Sequence, residues 1–433
     1  MFALVDGNNF YVSCERAFRP ILKTRPVVVL SNNDGCAIAR SNEAKAIGIK
    51  MGQPWFECRQ LAEEHGVIAL SANFTLYGDM SDRMMGIAAG LGPGQEIYSI
   101  DESFIDLSGI RGDLTARGQH VRQRILEWIG IPTGIGMGPT KTLAKLVNHV
   151  AKSADRKPGS YPIEFARVCN LGALPASDLD AVFEATEVGE VWGIGRRIAQ
   201  QLTTEGVTNV LQLVQISPST IRSRWSVVLE RTVRELQGQP CMTLENQPSP
   251  KKEIAFTRSF GQPITDLKDL VEAVSAFASG ASVKLRQQSS LAAQIHVFIH
   301  TSPFRPGPKI NTSTTVPLRR PTADSSLLVA AAVMGFRHIY RPGFDYIKAG
   351  IMLMDLQADT MKQGELDLED DNADDRSKLM STLDRLNDRY GRGTLKVASE
   401  GLAGDKRAWS MRQQLRTPHY TTDWKALPVA KAG

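Results

Sequence analysis

The sequence predicts a multidomain α+β protein, and three features predict it. Its 433 residues are enough for several domains of ordinary size. Short apolar runs interleave with helix-like segments as far as residue 165, the pattern of a half-covered sheet. An arginine-rich helical stretch at 171–240 and a linker, NQPSPKKE, then lead to renewed strand-like alternation at 254–355 around two helical stretches, 266–286 and 323–340.

Taken in order, residues 2–6 and 26–31 (PVVVLS) read as short buried strands, with a helix in NFYVSCERAF between them. NNDGC at 32–36 is a tight turn, where Asp34-Gly35 suits a positive φ. A small helical region runs to about residue 75. EIYSIDESFIDLSG reads as two strands or one bent strand. PTGIGMGP is another strand, and Pro139-Thr140 opens the helix that follows it. SKLMSTLDRLNDRY (377–390) spaces Leu379, Leu383, Leu386 and Tyr390 along one helical face. No internal repeat is evident.

Composition excludes several classes. No run approaches about 18 apolar residues, so no membrane span is expected. MFALVDGNNF lacks the basic start and apolar core of a signal peptide, which predicts a cytoplasmic protein. Five cysteines without a C-x-x-C pair argue for free thiols over a zinc site or disulfide framework. His296 and His300 share one face of an alternating strand with Phe298, a structural arrangement. Seven acids crowd into ELDLEDDNADD (365–375), and removing them from the formal +5 leaves +12. A basic body with one acidic segment leans towards a polyanionic partner such as nucleic acid.

Asp6 and the Asp101-Glu102 pair each fall at or near the end of an apolar run. A flat strand would send residues 101 and 102 to opposite faces, so a shared site requires a turn, which Ser99 and Ser103 would permit. Three carboxylates at one sheet rim suit two Mg²⁺ ions with substrate phosphates. Strand-end acids also commonly just face water, and the acids alone leave both readings open. In GPTKTLAKLVNHVAK, Lys141, Lys145 and Lys152 fall within about 40° on a helical wheel, opposite Leu143, Val147 and Val150. Such a stripe can neutralise a triphosphate or merely be solvated. It is not a Walker A loop, because Thr140 stands where that pattern needs glycine.

EVWGIGRRIAQQLTTEGVTNVLQL (190–213) reads as a helix-hairpin-helix. Gly193 and Gly195 let the backbone approach a DNA phosphate, Ile198, Ala199 and Leu202 face inward, and Gly206 stops the helix. Arg196, Arg197, Arg222, Arg224, Arg231 and Arg234 favour nucleic acid over an ordinary helical hairpin.

With these residues in view, the chain resembles the Y-family translesion DNA polymerases, within them the UmuC-type catalytic subunit of bacterial DNA polymerase V. The resemblance rests on DGNNFYVSCE, PVVVLSNNDGC, EAKAIGIKMG, YSIDESF, GIGMGPTKTLAK, VWGIGRRI, RSFG (258–261) and GRGTL (391–395). It implies a right-hand polymerase with a ferredoxin-like palm at 1–30 and 78–170, small fingers at 31–77 and a helix-hairpin-helix thumb at 171–240. An α+β little finger at 241–355 and a clamp- and partner-binding tail at 356–433 would complete it.

The resemblance further implies metal ligation by Asp6, Asp101, Glu102 and the Gly7 carbonyl, with two Mg²⁺ ions. Tyr11 matches the steric gate that excludes a ribose 2′-hydroxyl, Phe10 shapes the same wall, and Lys45 and Lys145 match triphosphate contacts. Many relatives have an aromatic at 42 and arginine at 45; here Asn42 and Lys45 stand there, so the fingers lack arginine's fork. QGELDL resembles a sliding-clamp motif anchored by Gln363, Leu366 and Leu368, without the usual terminal aromatic; a disordered acidic linker is the plain alternative. Implied partners are primer-template DNA, deoxynucleoside triphosphates, a UmuD-type accessory dimer, RecA and the sliding clamp. The implied function is error-prone synthesis past damaged bases in the SOS response. The competing class is a non-catalytic DNA-binding scaffold for repair partners. Another two-metal enzyme, such as a nucleotide cyclase, would leave the hairpin and second α+β domain without purpose.

Overall fold

A computed structural model describes residues 1–245, 247, 249–360, 376–401 and 407–428. In chain order the strands are β1 (Phe2–Gly7), β2 (Val27–Leu30), β3 (Ala37–Arg40), β4 (Ile68–Ser71), β5 (Gly94–Ile97), β6 (Glu102–Asp106), β7 (Thr133–Gly138), β8 (Val168–Asn170), β9 (Ile254–Ile264), β10 (Ser290–Thr301), β11 (Asn311–Thr322) and β12 (Tyr346–Ala358). The chain divides into two compact units. One comprises Met1–Ser31, Gly35–Pro248 and Leu415–Gly433; the other comprises Asn32–Asp34 and Ser249–Gln414.

The first unit is built on a five-stranded sheet ordered β5-β6-β1-β7-β8. β1 lies at its centre, antiparallel to both β6 and β7. One face buries Val5, Val12, Met84, Ile105, Ile125 and Met137 under the helices Phe10–Phe18, Phe74–Ala88 and Leu114–Ile129. The helix Lys141–Arg156 also packs on the sheet, and Thr140 caps it by accepting from the Leu143 amide. GIGMG explains how close that helix comes. A Cβ at Gly136 would stand 2.2 Å from the Ala144 carbonyl oxygen and 2.3 Å from the Asn148 amide, so only glycine fits.

A smaller sheet, β3-β2-β4, carries the helix Trp55–Glu64 around Val28, Leu30, Ile49 and Cys58. The helices between Ala176 and Leu236 form a separate core with Leu146, Val147 and Val150. Buried Glu235 ties them to the helix Lys141–Arg156. Its Oε2 accepts from the Thr142 amide and hydroxyl at 3.0 Å each, and its Oε1 from the Cys241 and Met242 amides at 2.8 and 2.9 Å.

The second unit is a four-stranded antiparallel sheet, β11-β10-β12-β9, with the helices Leu267–Gln287 and Ser325–Ile339 against it. Alternation in β10 buries Ile295, Val297 and Ile299. His296, Phe298 and His300 line up on the other face, the structural role expected of them. The cysteines are free, with Cys14, Cys58 and Cys169 buried and Cys241 exposed.

Two local expectations are corrected. In NNDGC the positive φ values fall on Asn33 (61°) and Asp34 (52°), while Gly35 stays at −81°. Asn and Asp tolerate the left-handed region through local side-chain hydrogen bonding, so glycine is not required there. In the helix Ser377–Tyr390 the expected stripe is covered only in part: Leu383 and Leu386 are half-buried, while Leu379 and Tyr390 are exposed. Met380 is buried instead, and Asp384 forms an ion pair with Arg286 at 2.6 Å. Leucine spacing marks an amphipathic helix, whereas the anchor here is set by what the neighbouring helix offers.

Candidate active site

The acids are brought together by strand register. β1 and β6 pair so that Asp6 lies opposite Glu102. Asp101 sits just before β6, in a turn organised by Ser99, whose hydroxyl donates to Asp101 Oδ1 at 2.6 Å and accepts from the Glu102 amide at 3.1 Å. The Gly7 amide donates to the Asp101 carbonyl at 2.8 Å, linking the two strand ends directly. The Glu102 carboxyl is close enough to Asp6 to raise its pKa. Among the described residues no three acid, histidine or cysteine side chains are gathered closely enough to hold one metal ion, so Asp101 does not close on the Asp6–Glu102 pair.

Three lysines of one helix face meet these and neighbouring acids. Lys152 pairs with Asp6, Lys145 with Glu102 at 2.7 Å, and Lys141 with Glu96 at 2.5 Å. The stripe expected to neutralise a triphosphate is therefore folded onto carboxylates. Lys145 also lies over Tyr98 and Trp192, 4.8 and 5.4 Å from their ring centroids. Burial is the largest influence on Asp6 and raises its pKa to about 7; Lys152 opposes the rise and Glu102 adds to it. Burial would raise Glu102 too, but hydrogen bonds from Asp6 and Lys145 outweigh it and the value is lowered.

Lys45 approaches from the smaller sheet's side. Its ammonium donates to Asn9 Oδ1 at 2.5 Å, and Asn9 Nδ2 donates to Asn42 Oδ1 at 2.9 Å. Burial, followed by the charges of Arg156, Arg40 and Lys152, lowers Lys45 to about 8. Lys45, Arg156, Arg40 and Lys152 thus lie near buried Asp6 and half-buried Glu102. The arrangement suits hard divalent cations on the acids, whose oxygens already hold ammonium groups as counter-charges, and a polyanion on the basic side.

An aromatic wall adjoins the acids. Tyr11 stacks on Tyr77 at 4.5 Å and 17°, and meets Phe74 edge-on at 5.9 Å. Burial and then Asp101 raise the Tyr11 pKa. Phe10 is 3% exposed and lies beneath Gly7, where an added Cβ would come within 2.9 Å of its ring; it supports the loop from below. Asn9, Tyr77, Glu96 and Arg156 belong to this neighbourhood and were not singled out from the sequence. Only the paired aromatics Phe74 and Tyr77, at helical i,i+3 spacing, offered a signal.

In the hairpin, Gly193 takes φ 88°, and Gly195 precedes the helix Arg196–Thr204 without a side-chain cap. Arg196 and Arg197 are exposed there; Leu202 is buried, with Ile198 and Ala199 half-buried beside it. Arg222 and Arg234 pair with Glu230, and Arg224 with Glu205, so these three have protein partners. Trp192 packs against Tyr98 and Phe104, bringing the hairpin's start to the five-stranded sheet. Gln363, Leu366 and Leu368 lie outside the described residues.

The fold so defined is that of a Y-family DNA polymerase. A solved Y-family chimera, Dbh-Dpo4(243-245)-Dbh, superposes with a TM-score of 0.64 at 19% identity, covering 83% of this chain and 100% of its own. The impB/mucB/samB family model matches residues 5–149, its C-terminal domain residues 251–366, and a domain of unknown function (DUF4113) residues 377–430. Protein ImpB of Salmonella typhimurium is 42% identical over 436 residues, spanning 100% of both chains. Protein UmuC of Salmonella typhimurium is 42% identical over 435 residues, spanning 99% of both. The chain belongs to the impB/mucB/samB family, the UmuC-type Y-family polymerases.

Proposed function

We propose that this UmuC-type chain performs translesion DNA synthesis through the site at the β1–β6 register, adding deoxynucleotides to a primer 3′-hydroxyl. The observation that carries the assignment is the strand register that sets Asp6 opposite Glu102, with Lys152 and Lys145 of one helix face paired to them and Lys45 held nearby by Asn9. A catalytically silent scaffold would have no use for two carboxylates set opposite each other beside such a basin.

Asp6, Asp101, Glu102 and the Gly7 carbonyl would hold two Mg²⁺ ions, with Lys145 and Lys152 yielding their places on the acids. The bound ions would activate the attacking hydroxyl and stabilise the leaving group. Released from Glu102 and Asp6, those lysines would turn to the triphosphate alongside Lys45 and Arg156, each a point charge on a flexible stem. Tyr11 would lie beneath the incoming sugar and exclude a 2′-hydroxyl. Gly193, Gly195, Arg196 and Arg197 would track the DNA backbone without reading bases, as a helix N-terminus with exposed cations does.

In the right-hand scheme the five-stranded sheet belongs to the palm, the β3-β2-β4 sheet to the fingers and the helical region to Leu236 to the thumb, with residues 241–355 the little finger and 356–433 the clamp- and partner-binding tail. Among the described residues no helix is long and apolar enough to cross a membrane. Action in the cytoplasm, on damaged DNA in the SOS response, is part of this proposal and rests on the likeness to Protein UmuC. A UmuD-type dimer, RecA and the sliding clamp, the last through Gln363, Leu366 and Leu368, complete the proposed assembly.

The test is Asp101→Ala in a primer-extension assay with Mg²⁺. Extension should fall to background while primer-template affinity stays within about twofold, because the carboxylate binds metal and makes no DNA contact. Normal extension by this variant removes the site assignment.

A further inference from the structure

The C-terminal segment beyond Gln414 returns to the catalytic unit and reaches its aromatic wall. Leu415 adds to the end of β4: its amide donates to Ser71 Oγ at 2.9 Å, and the Ser71 amide donates to its carbonyl at 3.1 Å. Two residues on, Thr417 is 6% exposed and donates its hydroxyl to Glu15 Oε1 at 3.1 Å. The same Glu15 oxygen accepts the Tyr77 hydroxyl at 2.8 Å. Tyr77 is the ring on which Tyr11 stacks.

A second tie runs through Asn73. Its amide donates to the Thr417 carbonyl, the Thr417 hydroxyl oxygen and the Pro418 carbonyl at 3.1, 3.2 and 3.1 Å. Its own carbonyl accepts from the Leu76 amide and caps the helix Phe74–Ala88. That helix carries both ring partners of Tyr11, Phe74 and Tyr77, in its first turn. Tyr420 then stacks on Phe18 at 4.9 Å, fixing the segment to the far end of the helix that bears Tyr11.

We propose that residues 415–420 brace the sugar-discriminating wall, with Thr417, Glu15 and Asn73 acting as positioning residues that hold Tyr77 and Phe74 against Tyr11. The inference rests on the gate role given above to Tyr11. Buried hydrogen bonds suit this task better than apolar packing alone, because they fix direction as well as distance. A tyrosine ring that guards a single hydroxyl must be held to a fraction of an ångström, which a lone side chain at a loop-helix junction cannot ensure. The C-terminal region then contributes to substrate choice from within the active-site unit, in addition to any partner it binds.

The experiment compares insertion of a ribonucleotide and the matching deoxynucleotide by the full-length protein, as the ratio of kcat/KM values. Thr417→Val keeps the side-chain shape and removes the hydroxyl; Tyr77→Phe keeps the ring and removes the donor. Each should relax discrimination by about threefold to tenfold, the usual worth of one such hydrogen bond. Thr417→Ser should restore the wild-type ratio, and the Thr417→Val/Tyr77→Phe pair should be less than additive, because both act through one Glu15 oxygen. Tyr11→Ala serves as the reference. If Tyr11→Ala leaves the ratio unchanged, the gate reading fails and the brace with it. If Tyr11→Ala relaxes the ratio while Thr417→Val and Tyr77→Phe do not, the brace alone is overturned. Equal loss of both insertions by Thr417→Val also overturns it, since that is the mark of a merely structural residue.

Discussion

Asp6→Asn is expected to end catalysis yet make the metal-free protein more stable above neutral pH. The residue is 8% exposed, and burial, opposed by Lys152 and reinforced by Glu102, raises its carboxyl from 3.8 to about 7. The unfolded chain gives up that proton near pH 4, whereas the folded chain keeps it to about 7. Stability from this group is therefore full below about pH 4 and is lost as pH rises through about 7. Three units at about 1.36 kcal/mol each make a penalty of about 4 kcal/mol above that pH. Asparagine never ionises and escapes the penalty, and the attraction of Lys152 is already contained in the value of about 7. Asp6→Asn should therefore gain up to about 4 kcal/mol at about pH 8, and the gain should shrink towards pH 5.

Calorimetry of the full chain, with and without Mg²⁺ across that range, reads both terms. Mg²⁺ should stabilise the wild type increasingly as pH passes about 7, where it replaces the proton, and should barely affect Asp6→Asn. A variant less stable than wild type at about pH 8, or one with an undiminished Mg²⁺ response, refutes this account of the site.

Three further predictions concern the site's surroundings. Because Lys45 is lowered to about 8, kcat/KM for the incoming nucleotide should fall as pH rises through that value; Lys45→Met should lower it about tenfold or more at neutral pH and flatten that limb. Replacing Arg196 and Arg197 together with alanine should reduce the slope of log affinity against log salt for primer-template DNA by about 1.8; an unchanged slope removes the hairpin from the DNA contact. Glu235→Gln places an amide against donors that now meet a carboxylate, and should cost at least about 2 kcal/mol in thermal or urea unfolding; a neutral effect would deny its role as the link between helices.

Much of this arrangement was legible in the chain because the signals were local. Alternation in QIHVFIH marked a strand with one buried face, and β10 has it. Pro139-Thr140 marked a helix entry, and Thr140 caps that helix. Asp6 and Asp101-Glu102 stood out as acids at the ends of apolar runs, and the family motifs around them gave them a shared role. Asn9, Tyr77, Glu96 and Arg156 gave little sign, since each owes its place to a residue far along the chain. The lysine stripe was found by periodicity, but its occupation of the acids depends on pairing between β1, β6 and the following helix, which periodicity does not encode. Likewise Leu379 and Tyr390 satisfied the helical pattern while Met380 took the buried position.

The sequence by itself determined the α+β class, the helix and strand periods, the acids and aromatics of VDGNNFYVSCE and YSIDESF, and the family to which they belong. These are local or compositional properties, and local propensity together with side-chain chemistry suffices to state them. Tertiary structure alone decided which acid faces which, that Lys152 and Lys145 stand on them, and that Thr417 reaches Glu15 across 402 positions of chain. Such contacts come from strand register and close helix packing, where a one-residue slip would turn every side chain to the other face.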